Sequence, residues 1–131
     1  MSPQFGDIVR ITARQDNVRW VMAPSGSPSN DHISNVRLLR PRGDGANYAH
    51  TVKIVEVTVV ERPVFEIGER VAGSIEGQVG TIIALGTDCA RVRWDQRRFP
   101  LKGGGYLAGG VSEGDVPFWA LVLNNRKGAL T

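Results

Sequence analysis

The sequence predicts an all-β protein built from two small β domains in tandem, packed together, with negligible α-helix. Apolar residues recur with a period of two along several segments, which is the spacing of a half-buried strand. No segment of ten or more residues carries a capped stripe of helical period. The length of 131 residues suits two halves that stabilise each other, because a domain of about 60 residues buries only about 60% of its unfolded surface.

The first half, residues 1–63, contains three predicted strands. They cover residues 6–12, 35–40 and 51–60. β-branched side chains occupy both faces of the third segment, so we expect one long strand shared between two cores. Pro63 ends it because proline has no N–H for a strand ladder, which places the linker at residues 61–63. Before the second strand, residues about 23–34 form a long inserted loop rich in Pro, Gly, Ser, Asn and Asp.

The second half, residues 64–131, repeats this alternation of strands and turns. Its predicted strands cover residues 68–72, 78–85, 89–95 and 117–124. Glu113 and Asp115 flank Gly114 in a predicted turn. Residues 103–110 are dense in glycine, so we expect this loop to be mobile in the free protein.

An internal repeat links the two halves. The pattern apolar, Gly, acid, any residue, Val occurs at residues 5–9 (FGDIV) and again at residues 67–71 (IGERV). A period of this length indicates two copies of one small domain rather than a solenoid. The alternative is that two unrelated β segments begin alike, since five positions are easily matched by chance.

Three motifs of the second half follow one another in order. They are FEIGERV at residues 65–71, GQVGTII at 77–83 and ARVRWD at 90–95. Over residues about 64–124 the chain resembles an SH3-like barrel of the KOW or Tudor type, whose families open with G-[DE]-x-V, turn through G-x-x-G and continue with V-x-[WY]-D. The resemblance implies a scaffold that binds RNA, DNA, proline-rich peptides or methylated side chains in different members. The first half matches at its opening strand, and we expect it to form a second SH3-like barrel that carries the inserted loop.

An aromatic cage for methylated side chains would need several rings. The one candidate on the predicted 89–95 strand is Trp94. It alternates in register with Ala90 and Val92, so we expect it to pack in the core.

Positive charge is concentrated at the end of the same strand. The chain has 13 Arg against 3 Lys and a formal charge of +3, and arginine pairs with phosphate and stacks on aromatic rings. We predict a basic rim that contains Arg91, Arg93, Arg97, Arg98, Phe99, Lys102 and Tyr106. A smaller second patch contains Arg37, Arg40 and Arg42. The competing interpretation is an ion-paired surface in which Arg91 and Arg93 bind Glu69, Glu76 or Asp95.

Residues that support catalysis or metal binding are sparse. Cys89 is the single cysteine, so it cannot form an internal disulfide or a thiolate metal cluster. His32 and His50 lie in loop-like sequence, and no serine lies in a nucleophile elbow. We therefore predict no enzyme activity, no cofactor, no metal site and no small-molecule substrate. Apolar runs are far shorter than the roughly 20 residues of a membrane helix, so we expect no membrane association.

Three functional hypotheses follow. The first, which we favour, is a noncatalytic adaptor or binding module that recognises a protein partner through a barrel face or an exposed edge strand. The second is nucleic-acid binding through the rim from Arg91 to Lys102. The third is a component of viral particle assembly. Small size and arginine bias are typical of a phage or accessory protein from a GC-rich bacterium, and with no secretory signal we expect a cytoplasmic location, in the bacterial host if the chain is phage-encoded.

Overall fold

The computed structural model describes residues 2–25, 35–75, 77–96, 98–108 and 112–130, with the backbone alone at 98–100 and 106–108. These residues are mostly strand and include one short α-helix, so the predicted all-β class is confirmed. The strands are β1 (Ile8–Ile11), β2 (Trp20–Pro24), β3 (Asn35–Pro41), β4 (Asn47–Lys53), β5 (Val57–Glu61), β6 (Arg70–Ala72), β7 (Val79–Leu85), β8 (Cys89–Trp94), β9 (Arg98–Pro100), β10 (Tyr106–Ala108) and β11 (Ser112–Pro117). The helix is α1 (Phe118–Asn125), and 3-10 turns cover Ile54–Glu56 and Lys127–Leu130.

The chain divides into two compact units. One contains Met1–Val64 together with Phe118–Thr131, and the other contains Phe65–Pro117. The predicted domains, residues 1–63 and 64–131, therefore need a correction at the C-terminus. Residues 118–131 belong to the first unit, and they include the helix Phe118–Asn125, which packs on its sheet.

The first unit is built on a five-stranded antiparallel sheet in the order β4-β3-β2-β1-β5. β1 pairs with both β2 and β5, so β4 and β5 are the two edge strands. Alternate side chains project to one face of the sheet. They form a core cluster that consists of Val9, Ile11, Trp20, Met22, Val36, Leu38, Val52 and Val57.

Helix α1 covers the second face of this sheet by packing on β2 and β3. The strand residues of that face that are buried are Ile8, Val21, Ala23 and Leu39. Leu121 and Val122 of the helix are buried as well, so the predicted strand at residues 117–124 is wrong. The apolar run after Pro117 does not alternate with a period of two. As a helix, it covers the second apolar face of the sheet and removes that face from water. No helix in the described part of the chain is long and apolar enough to cross a membrane.

The predicted long strand at residues 51–60 is also wrong. β4 ends at Lys53, a 3-10 turn follows, and β5 begins at Val57. The Glu56 side chain accepts a hydrogen bond from the Lys53 backbone N–H at 3.3 Å, which stabilises the turn, and Val55 is left 81% exposed. The two-sided burial that we expected in this segment lies in β1, β2 and β3 instead.

The second unit contains a four-stranded antiparallel sheet in the order β11-β8-β7-β6. Its buried side chains include Val71, Ile82, Ala90 and Val92. Gly80 is needed here because a Cβ would lie 2.7 Å from the Arg93 carbonyl oxygen and 2.8 Å from the Trp94 ring. The Trp94 ring therefore packs against the sheet backbone.

Two loop predictions for the second unit also need correction. The glycine-rich segment 103–110 is in part a strand, since β10 pairs with β9 in a separate two-stranded sheet. The turn itself contains Gly103, Gly104 and Gly105, all at positive φ. The predicted turn at residues 113–115 lies in β11, where Gly114 pairs with Val92.

The internal repeat corresponds to one backbone turn that is built twice. Gly6 and Gly68 have φ of +98° and +93°. The Gly6 N–H donates to the Met22 carbonyl and the Gly68 N–H to the Ile82 carbonyl, both at 2.8 Å. One residue on, the acidic side chains also act alike: Asp7 accepts the Gln4 N–H at 2.8 Å and Glu69 accepts the Glu66 N–H at 3.2 Å. The sequence pattern thus reflects a shared way of opening each unit.

Candidate functional site

Ion pairs occupy the part of the predicted basic rim that lies on β8. Arg93 donates to Glu113 at 3.0 Å. Arg91 donates to Glu113 at 3.2 Å and to Asp115 at 3.4 Å. Both arginines are therefore ion-paired, as the competing interpretation held, but their partners lie on β11 and are neither Glu69 nor Asp95. The third expected partner, Glu76, lies outside the described residues. These four side chains carry no net charge together.

Asp95 pairs with a different arginine. Its carboxylate accepts two hydrogen bonds from Arg70, which also donates to the Thr81 hydroxyl at 2.8 Å. The hydrogen bond from Arg70 lowers the pKa of Asp95. Hydrogen bonds from Arg93 and then Arg91 lower the pKa of Glu113. The outer face of the β11-β8-β7-β6 sheet is thus a network in which positive and negative groups are matched.

Of the other rim residues, the structure describes only the side chain of Lys102. Lys102 is exposed in the turn between β9 and β10. Arg97 lies outside the described residues, as do the side chains of Arg98, Phe99 and Tyr106, whose backbone forms β9 and β10. The second unit as a whole holds six basic and seven acidic side chains, a net charge of −1. The chain's positive charge therefore belongs to the first unit.

The arginines of the second predicted patch are engaged in contacts within the first unit. Arg37 lies over the Trp119 ring at 5.9 Å, Arg40 donates to the Leu130 carbonyl at 3.0 Å, and Arg42 pairs with Asp44 at 3.3 Å. Arg42 also lies over the Tyr48 ring at 5.4 Å. Each arginine thus has an intramolecular role, and two of them hold the C-terminal segment on the sheet.

Of the residues considered for catalysis, the structure describes His50 in β4 and Cys89 in β8. His32 lies outside the described residues, and His50 lies in β4, not in a loop, with its ring 6.2 Å from that of Trp20. Desolvation raises the pKa of the Cys89 thiol, and the Asp115 and Asp88 carboxylates raise it further. Among the described side chains, no group of three or more His, Cys, Asp or Glu is placed to hold a metal ion.

Open strand edges are a further candidate for a site. Of the four edges of the two larger sheets in the described residues, three are blocked. β6 has only three residues, and β11 contains Gly114 and ends at Pro117. On β5, the pairing register with β1 shifts between Ile8 and Val9. Pro3 also lines a groove of about 390 Å³ along residues 57–62 of this edge. Short strands, bulges and proline are devices that prevent strands from pairing with other chains.

β4 is the edge that lacks these devices. All seven residues pair with β3 in one uninterrupted register, and six of the seven are exposed. The strand contains no proline or glycine, and its one charged side chain, Lys53, is at its end. Within the described residues, no strand pairs with its other side.

The hydrogen-bond phase of β4 follows from the turn that precedes it. The Arg42 N–H donates to the Ala46 carbonyl at 3.0 Å. The next pair, Pro41 with Asn47, is then not hydrogen-bonded, as proline requires. Alternation along an antiparallel ladder directs the backbone groups of Tyr48, His50 and Val52 to β3. It directs those of Asn47, Ala49, Thr51 and Lys53 away from the sheet.

Ala49 and Thr51 are the centre of this open edge. The Lys53 N–H is bound by Glu56, whereas no hydrogen bond within the described residues engages the outward N–H and carbonyl groups of Ala49 and Thr51. On the core side of the sheet, Tyr48 is 50% exposed and stands beside His50. The edge thus offers free backbone groups flanked by a half-exposed aromatic ring.

Sequence reasoning did not find β4 as a separate strand. The available signal was Gly43-Asp44-Gly45, a turn sequence between two β segments. Gly43 and Gly45 both adopt positive φ, and the Asp44 side chain accepts the Ala46 N–H at 3.1 Å. In the sequence-based prediction, His50 lies in loop-like sequence and the strand begins at Thr51, four residues after the start of β4.

Comparison of the chain with protein-family models, with curated proteins and with solved structures found no match.

Proposed function

We propose that this protein is a noncatalytic binding module that recognises an extended segment of a protein partner by strand addition to β4. The observation that carries the proposal is the outward-directed backbone of Ala49 and Thr51 on an uninterrupted seven-residue edge. Strand addition obtains its affinity from main-chain hydrogen bonds and its specificity from alternate side-chain positions. Tyr48 and His50 supply side-chain contacts on one face of the joined sheet.

An SH3-like scaffold is part of this proposal. It is supported in the first unit by a strand order in which β1 lies between β2 and β5, an order from which a small five-stranded barrel can close. It is supported in the second unit by the repeated opening turn at Gly68 and Glu69. Small barrels of this kind carry binding sites on their edges and loops, and function is assigned from the site rather than from the fold.

The ion pairs of the second unit weigh against nucleic-acid binding through Arg91 and Arg93. Binding to phosphate requires basic side chains that can release counterions. Arg91 and Arg93 already face Glu113 and Asp115, and the unit that carries them has a net charge of −1.

A proline substitution tests the proposal. Thr51→Pro removes one outward N–H and is compatible with an edge position, whereas Thr51→Val keeps the N–H and serves as the matched control. Peptides selected from a random displayed library on the natural protein should bind Thr51→Val equally and Thr51→Pro at least about tenfold more weakly. Equal binding of the selected peptides to all three proteins would contradict the proposal, provided that circular dichroism shows the same fold.

A further inference from the structure

We infer that the strand that fits β4 best is β4 of a second copy of this chain, so that two molecules pair around a two-fold axis at His50. This inference rests on the proposed function, because it uses the same open edge. It goes further by naming the partner and the register.

The register in which the two strands overlap completely agrees with the hydrogen-bond phase. When residues 47–53 of two copies run antiparallel and overlap completely, Ala49 of one copy lies opposite Thr51 of the other. Both residues direct their backbone groups outward, so each Ala49–Thr51 pair exchanges two hydrogen bonds. Asn47 and Lys53 are also opposite each other, and both are outward-directed. Every outward residue of β4 therefore meets an outward residue.

The side chains suit the same register. Tyr48 of one copy lies opposite Val52 of the other in a pair that is not hydrogen-bonded, where side chains approach closely. Aromatic and β-branched side chains stabilise each other across strands, and Tyr48 is 50% exposed in the single chain. Lys53, the one charged residue of the strand, lies opposite the neutral Asn47, so Lys53 meets no like charge across the axis.

Faces also match across the two-fold axis. Val52 lies in the core cluster, so Tyr48 and His50 share its face of the sheet, while Ala49 and Thr51 share the other. A two-fold axis perpendicular to the sheet keeps these faces aligned. It joins the two five-stranded sheets into one continuous sheet and leaves both α1 helices on the same side.

A charge swap tests the pairing of the two β4 strands. Ala49 and Thr51 are both exposed in the single chain, so Ala49→Lys with Thr51→Lys and Ala49→Glu with Thr51→Glu should fold. In the inferred register each double variant places like charges opposite each other in its own dimer. A one-to-one mixture of the two places opposite charges there. Ser74→Lys with Thr87→Lys adds the same charge at exposed positions of the second unit and is the matched control.

We expect the natural chain and the control to show twice the 14.2 kDa mass of one chain in multi-angle light scattering across a concentration series. Each β4 double variant should be a monomer, and their mixture should form a heterodimer. A natural chain that stays monomeric, a β4 variant that stays dimeric, or a mixture that stays monomeric would each overturn the inference.

Failure of the inference is distinguishable from failure of the proposed function. If the natural chain is monomeric but still binds library peptides that Thr51→Pro loses, the edge accepts strands and only the second copy is wrong. If neither copies nor peptides bind, both claims fail.

Discussion

Arg62 binds the buried carboxylate of Asp7 through two hydrogen bonds, each 2.8 Å long. Asp7 is only 2% exposed, and its carboxylate also accepts the Gln4 N–H at 2.8 Å. Arg62 in turn donates to the Ser2 carbonyl at 2.7 Å. The pair thus attaches the N-terminal turn to the chain just beyond β5, 55 residues away in sequence.

Loss of the Asp7 carboxylate should destabilise the protein strongly. Asp7→Ala leaves the Arg62 guanidinium and the Gln4 N–H without their acceptor, so we expect the free energy of unfolding to fall by about 3 kcal/mol. Asp16→Ala, at an exposed carboxylate with one weak local hydrogen bond, should cost less than about 0.5 kcal/mol. Chemical denaturation measures both, and similar losses for the two variants would show that the Asp7 pair is not stabilising.

The two repeated turns differ in what surrounds their glycines. A Cβ at Gly6 would lie 3.0 Å from the Phe118 Cβ, whereas a Cβ at Gly68 meets nothing within 4 Å. Both positions have positive φ, so Gly68→Ala should cost about 1–2 kcal/mol from backbone strain alone. Gly6→Ala should cost more, because it also displaces the start of α1. Equal changes in melting temperature would mean that the Phe118 contact is unimportant.

Acid should weaken the ion-pair network of the second unit. The pKa values of Glu113 and Asp95 are lowered in the folded protein, so their contribution to stability is complete above the unfolded values of about 4.3 and 3.9. It is lost as the pH falls through the lower folded values. The melting temperature should therefore decrease as the pH is lowered below about 4.3. This decrease should be smaller in the double variant Glu113→Gln with Asp95→Asn. An unchanged acid profile in that double variant would contradict the assignment.

We expect no measurable binding to single-stranded nucleic acid at physiological salt. The β8 arginines are paired with acids, and a phosphate ligand would have to displace those carboxylates. Fluorescence anisotropy with a labelled oligonucleotide across a salt series checks this expectation. Binding that falls with salt at a log–log slope of about −0.7 per phosphate contact, and that is lost in Arg91→Gln with Arg93→Gln, would restore the basic rim as a site.

Local patterns in the sequence predicted much of the fold. Alternation at residues 78–85 and 89–95 corresponds to β7 and β8, and the repeated glycine and acid marked both opening turns. The pattern was insufficient where tertiary contacts decide the structure. Residues 118–125 form a helix because they pack on an apolar face of the first unit's sheet, which is distant in sequence. The 51–60 segment is interrupted by a turn where the Glu56 side chain binds the Lys53 N–H.

The predicted rim shows the same limit for function. Arginines on β8 were identified correctly as one surface, but Glu113 and Asp115 were assigned to a turn. Once β11 pairs with β8, those acids lie directly opposite the arginines. Strand pairing between residues about twenty positions apart decides whether such a surface is charged or neutral, and no local spacing reveals it.

Residue-resolved amide hydrogen exchange of β4 tests the central claim most directly. In the monomeric chain, the N–H groups of Tyr48 and His50 should exchange slowly because they are bonded to β3, while those of Ala49 and Thr51 should exchange rapidly. Strand addition at β4 predicts that exchange at Ala49 and Thr51 slows when a selected peptide or a second copy binds, with little change at Tyr48 and His50. Rapid exchange at Ala49 and Thr51 in the saturated complex would contradict the account.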